Sequence, residues 1–179
     1  MKRASLSLLL AILICMLAVP SRAQSIPPIK AKALDDAEVI LPKPDDQQLL
    51  ILILGFSHKS GDACGGWTKR VASDYTSDPL ATYYQLAELQ GAPSMVRGMI
   101  LHGMRKEVPA PQHSHFVPLF DHEVDWKKAV NFSAPDDPYM LIAAPDGHIL
   151  WQTHGPVSDS AYADFKSAVA KLVGNPKPS

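Results

Sequence analysis

Residues 137–151 read Asp137-Pro138-Tyr139-Met140-Leu141-Ile142-Ala143-Ala144-Pro145-Asp146-Gly147-His148-Ile149-Leu150-Trp151. Tyr139 to Ala143 is an apolar run of strand-forming residues, and Pro145-Asp146-Gly147 is turn chemistry in which glycine can take positive φ. His148 to Trp151 then has the composition of an antiparallel partner, so the stretch predicts a β-hairpin. Beyond Gly155-Pro156, Ser158 is placed to cap a helix whose apolar positions Ala161, Phe165, Ala168, Val169 and Leu172 recur at helical spacing.

Working back from the hairpin, Leu49 to Leu54 is a continuous apolar run ended by Gly55. Such a run is expected of a central strand buried on both faces. A helix is expected to begin near Cys64 and to stop before Pro79. Ala81 to Leu89 predicts a second strand, and Pro93 opens a helix in which Met95, Met99 and Ile100 share a face while Arg97, Arg105 and Lys106 lie largely outside it. Phe116 to Phe120 is apolar but interrupted by Pro118, which suits a short or edge strand. Trp126 to Val130 adds a helical turn. Gln24 to about Gln47, with Pro27, Pro28, Pro42 and Pro44, reads as an extended N-terminal arm or an edge hairpin.

The whole chain has 179 residues, 46% hydrophobic and 20% charged, with a formal charge of −1. That is the composition of one soluble globular domain and excludes collagen, long coiled coils and disordered chains. Its 17 Lys and Arg do not cluster, so nothing forms the basic stripe that nucleic-acid binding requires. Lys2 and Arg3 precede an apolar run of 12 residues, Leu8 to Val19, and Ser21-Arg22-Ala23 places small residues at a cleavage site. The run is short of the roughly 20 residues that span a bilayer. The expectation is a signal peptide over residues 1–23, cleaved near Ala23, and a periplasmic or secreted protein that meets the membrane only through that peptide. Cys15 follows the bulky Ile14, which argues against a lipoprotein. Removing residues 1–23 takes away Lys2, Arg3 and Arg22 and no acid, leaving 14 basic against 18 acidic residues and a formal charge of −4. It also leaves one cysteine, Cys64.

The order strand, helix, strand, helix, strand, hairpin, helix, with Pro138 ahead of the hairpin, resembles the thioredoxin-like superfamily. The resemblance implies an α/β fold, a central mixed β-sheet flanked by helices, over residues 48–173, with a frayed tail at 174–179. In that family a strand leads into a redox motif at the start of a helix, beside a cis-proline. The resemblance assigns the motif to Phe56 through Trp67 and the cis-proline to Pro138. Cys64 then becomes the candidate nucleophile, and Gly65, Gly66, Trp67 and Asp137 the residues lining a bound substrate chain.

The departure from the family is in the motif itself. Thioredoxins carry two cysteines separated by two residues, one to attack and one to resolve. Cys64-Gly65-Gly66-Trp67 puts an indole in the resolving position. The peroxiredoxin pattern is missing too, since Ser57 and Gly61 hold the places of its proline and threonine. A cysteine at a helix N-terminus favours the thiolate, whereas Asp62 and Asp137 oppose it. The alternative is a cysteine that simply packs.

Three functional classes follow. The first is an accessory or assembly module for other envelope or secreted proteins, possible through mixed disulfides of Cys64 or without them. A fainter similarity, to the thioredoxin-fold mitochondrial ATP synthase assembly factors over Met99 to His115 and the hairpin, implies such a platform, with the Arg97–Lys106 helix as a contact face. The second is a monothiol oxidoreductase or peroxidase-like enzyme in which Cys64 attacks, Pro138 and the backbone near Asp137 hold the substrate, and an external thiol resolves the adduct. The third is a metal carrier using Cys64 with His58 or with His113 and His115. No cofactor and no metal is expected on the leading reading. Met95, Met99 and Met104 are expected to pack, as are Trp67, Trp126 and Trp151. Asp136-Asp137 reads as a solvated turn. No hydrolase, kinase or phosphate-loop signature occurs.

Overall fold

A computed structural model describes residues 24–174. The expected signal peptide and its cleavage near Ala23, Cys15 and the tail beyond Gly174 lie outside the described residues.

The chain builds a five-stranded mixed sheet in the order β5-β4-β3-β6-β7. Strand β1 (Ile29–Lys32) and β2 (Glu38–Leu41) come first and pair antiparallel as a separate ribbon. Then follow β3 (Leu49–Gly55), α1 (His58–Tyr75), β4 (Ala81–Glu88), α2 (Ser94–Glu107), a short 3-10 helix (Ala110–His115) and β5 (Phe116–Leu119). Helix α3 (Glu123–Ala129), β6 (Tyr139–Ala143), β7 (Ile149–His154) and α4 (Asp159–Gly174) complete it. Strand β3 lies parallel to β4 and antiparallel to β6, and the β6–β7 hairpin turns at Gly147, where φ is +92°.

The apolar run of β3 serves two cores because successive side chains alternate between sheet faces. Leu50, Leu52 and Leu54 point into one core with Leu86, Val117, Trp126, Tyr139 and Leu141. Ile51 and Ile53 point into the other with Val71, Tyr83, Met140, Ile142, Phe165 and Val169, where α1 and α4 cover the sheet. Ser158 caps α4, its Oγ accepting the Ala161 N–H at 3.1 Å.

Residues 24–47 take the hairpin form of the two readings, not the extended arm. Ile26, Ile29, Val39 and Leu41 are buried in the first core, since the ribbon's alternation gives it one apolar face that closes over the sheet. The ribbon also meets the edge strand, with the Leu34 N–H on the Phe116 carbonyl at 3.0 Å.

Helix α2 departs from its expected orientation. Met95 and Met99 face solvent rather than the core, at 94% and 70% exposure. Ile100 stays on the packed side with Val96 and Met104, and Arg97 lies over the Phe120 ring at 4.5 Å. A long charged side chain here covers apolar surface with its stem.

Candidate functional site

The site implied by the sequence lies where β3 hands over to α1, and the residues found at that handover are serines. Gly55 ends the strand and Ser57 is the N-cap, so the helix starts at His58, earlier than expected. The Ser60 N–H donates to Ser57 Oγ at 3.0 Å, and the Ser57 N–H donates to Ser60 Oγ at 2.9 Å. This reciprocal arrangement satisfies two donors that a helix start leaves unpaired. Ser60 Oγ also accepts the Phe56 N–H at 2.8 Å and donates to the Ser57 carbonyl at 3.0 Å.

Cys64 therefore sits in the second turn of α1, away from the free N–H groups and positive end of the helix. It is 0% exposed among Ile51, Ile53, Trp67, Tyr83 and Met140. Burial pushes its thiol up to about 12, because an apolar shell disfavours the thiolate. Of the two readings left open by the sequence, a cysteine at the helix N-terminus and one that simply packs, the structure has the packed one. Its Sγ is held close to the strand: a Cβ on Gly55 would stand 3.2 Å from it.

The residues expected around it scatter. Trp67 is 1% exposed, donates its indole N–H to the Gly155 carbonyl at 2.9 Å and packs edge-on against Phe165 at 6.1 Å. It is core, as is Trp126. Gly65 and Gly66 are exposed on α1, and Gly66 leaves room for Val157, whose Cγ1 lies 3.0 Å from where its Cβ would be. None of these three lines a groove with Cys64.

Pro138 is buried at the entrance to β6, but its peptide bond is trans. The cis bond found among the described residues is Leu41–Pro42. The trans form fits the local path: the Asp137 N–H closes a turn onto the Ala134 carbonyl at 3.2 Å, and Pro138 then runs extended, its carbonyl accepting the Gly155 N–H at 2.9 Å. Asp137 is turned sideways to His154, with Oδ2 2.8 Å from Nδ1.

Sequence reasoning placed Asp136 in a solvated turn and missed its pairing with the start of α1. Asp136 accepts from Ser57 Oγ at 3.2 Å and from Lys59 Nζ at 3.1 Å. The bonded Lys59 ammonium holds the Asp136 carboxyl below the usual carboxylate range. The signal available in the sequence was Ser57-x-x-Ser60 directly after a strand-ending glycine, a capping pattern. Ser57, Lys59, Ser60 and Asp136 make a hydrogen-bonded corner without a thiol. The clefts of about 300 and 340 Å³ elsewhere on the molecule include none of these residues, nor Cys64.

The metal alternative loses its ligands as well. His113 Nε2 lies 2.9 Å from the Val108 carbonyl, and His115 Nδ1 lies 2.9 Å from the Tyr83 carbonyl while its ring stacks on Tyr83 at 4.2 Å. His58 is exposed beside Asp62. Among the described residues no three His, Cys, Asp or Glu side chains converge.

With this geometry in hand, comparison with solved structures is decisive for the architecture. The uncharacterized conserved protein of Geobacillus kaustophilus superposes with a TM-score of 0.59 at 17% identity, over 88% of this chain and 85% of that one. The exposed lipoprotein thioredoxin Etrx1 of Streptococcus pneumoniae superposes at 0.56 with 9% identity, over 83% and 98%. StoA of Bacillus subtilis gives 0.53 at 11%, over 78% and 96%. The fold is thioredoxin-like. No family model matches the sequence, and no curated protein does either. Fold at this level of identity does not carry activity, which belongs to the site.

Proposed function

We propose that this chain is an exported thioredoxin-fold accessory protein, a binding or assembly module for other envelope or secreted proteins, and that it works without thiol chemistry. The observation that carries the reading is that the start of α1, where the resemblance puts a redox motif, holds two capping serines and no cysteine. Ser57 and Ser60 are separated by two residues, and both hydroxyls are engaged in capping. Cys64, the one cysteine among the described residues, is buried in the core. A thiol at about 12 supplies almost no thiolate near neutrality, and attack on a disulfide needs the thiolate. This removes support from the monothiol enzyme and from mixed disulfides through Cys64. Export rests on the basic, apolar and small-residue order of residues 1–23. No helix among the described residues is long and apolar enough to cross a membrane.

The test compares the wild-type protein with Cys64→Ser in two assays: reduction of a disulfide substrate by glutathione, and recovery of partners from the export compartment after amine-directed cross-linking. The module reading expects background turnover for both proteins and the same partners on each. Turnover that disappears in Cys64→Ser, or partners lost from it, overturns the reading.

A further inference from the structure

Helix α2 has no buried residue, yet it is clearly two-faced. Val96, Ile100 and Met104 are half-buried on the side toward the body, and Arg105 anchors that side by donating to the Leu34 carbonyl at 2.7 Å and to Asp36 at 2.9 Å. The opposite side carries Met95, Met99 and His102. At helical spacing these three fall within about 60° of one another around the axis. Solvent-facing helix positions ordinarily carry polar residues, and nothing in the packing accounts for two thioethers held in water.

An independent observation singles out His102. Six of the seven histidines have a ring nitrogen engaged. His58, His122, His148 and His154 face Asp62, Asp125, Asp146 and Asp137, and His113 and His115 face backbone carbonyls. His102, exposed on α2, has neither nitrogen engaged. Among the described residues, the one free imidazole thus lies on the same strip as the two exposed thioethers.

We propose that Met95, Met99 and His102 form a binding site for Cu(I). Thioether sulfur is a soft, neutral ligand that selects Cu(I) over hard cations, and imidazole nitrogen suits copper as well. Residues three and four apart on a helix have Cβ atoms about 5–6 Å apart. The unbranched methionine side chains have the freedom to close that distance onto one ion. Two sulfurs and one nitrogen from two successive turns of helix, with Met99 between Met95 and His102, then hold the ion at the surface, from which another protein can collect it. The site owes nothing to Cys64, so its failure would leave the module reading untouched.

The experiment is an anaerobic titration of the exported protein with Cu(I) against a chromogenic Cu(I) chelator. It is run on wild type, Met95→Leu/Met99→Leu, His102→Gln and Cys64→Ser, with X-ray absorption on the copper-loaded wild type. The wild type is expected to take a single ion with sulfur and nitrogen neighbours. The double methionine variant and His102→Gln should each bind about ten-fold more weakly or worse, and Cys64→Ser should bind as wild type does. All three ligand positions are exposed, and circular dichroism will verify that the variants fold. A wild type that fails to withdraw copper from the chelator, affinity unchanged in Met95→Leu/Met99→Leu, or binding lost in Cys64→Ser overturns the site.

Discussion

Ser57 and Ser60 bond each other's backbone across the first turn of α1: each side-chain oxygen accepts the other residue's N–H, at 3.0 and 2.9 Å. Ser60 is 0% exposed and gathers two backbone donors, whereas Ser57 is partly open and reaches Asp136. The two serines are therefore unequal. Ser57→Ala should cost about 1 kcal/mol, the ordinary price of an N-cap. Ser60→Ala should cost more, about 1–3 kcal/mol, because it leaves the Phe56 and Ser57 N–H groups without their acceptor. Urea denaturation of the two variants checks the order, and a smaller loss for Ser60→Ala would contradict it.

Gly55 is a contact glycine. A methyl there would meet Cys64 Sγ, Ser60 Oγ and the Gly61 nitrogen, each at 3.2 Å, and the last is backbone. Gly55→Ala should destabilise by about 1–3 kcal/mol through overpacking. Pairing it with Cys64→Ala relieves one of the three contacts. A double-mutant cycle should show coupling between positions 55 and 64, and strict additivity would contradict the packing described.

Glu88 introduces a pH dependence. Its Oε2 is buried without a hydrogen-bond partner, and burial, aided by Glu123 and Asp121, raises its carboxyl to about 7. A raised carboxylate favours the folded state while protonated, and that contribution is lost as pH climbs from the unfolded value of 4.5 through about 7. Glu88→Gln should thus be more stable than wild type at pH 8 and gain little at pH 4. Thermal denaturation at both pH values reads this directly, and an equal gain at each would contradict it.

What the sequence showed and what it hid divide along local and non-local lines. The β6–β7 hairpin and α4 were legible because Pro145-Asp146-Gly147 and the Ser158 cap act within a few residues. The sheet was legible because β3 is apolar on both faces. The start of α1 lies earlier than Cys64 suggests, because Ser57-x-x-Ser60 is the pattern that sets the boundary. Resemblance alone assigned a cis bond to Pro138, and the turn at Ala134–Asp137 delivers the chain in trans. The α2 methionines were read as core because periodicity reveals that a face exists but not which side the body occupies. Of the site, the Lys59–Asp136 contact is not legible, since 77 residues separate two side chains that only the fold brings together.

The central claim is that Cys64 is a core residue and not a nucleophile. The most direct measurement is the rate of Cys64 alkylation in the native protein as a function of pH, with the same reaction in denaturant as the reference for a free thiol. The account predicts no native labelling up to about pH 9, full labelling in denaturant, and an unfolding free energy that declines from about pH 9 toward 12 in wild type relative to Cys64→Ala, because only the unfolded thiol ionises across that window. Rapid native labelling with a midpoint below the ordinary thiol value of about 8.5 would contradict it.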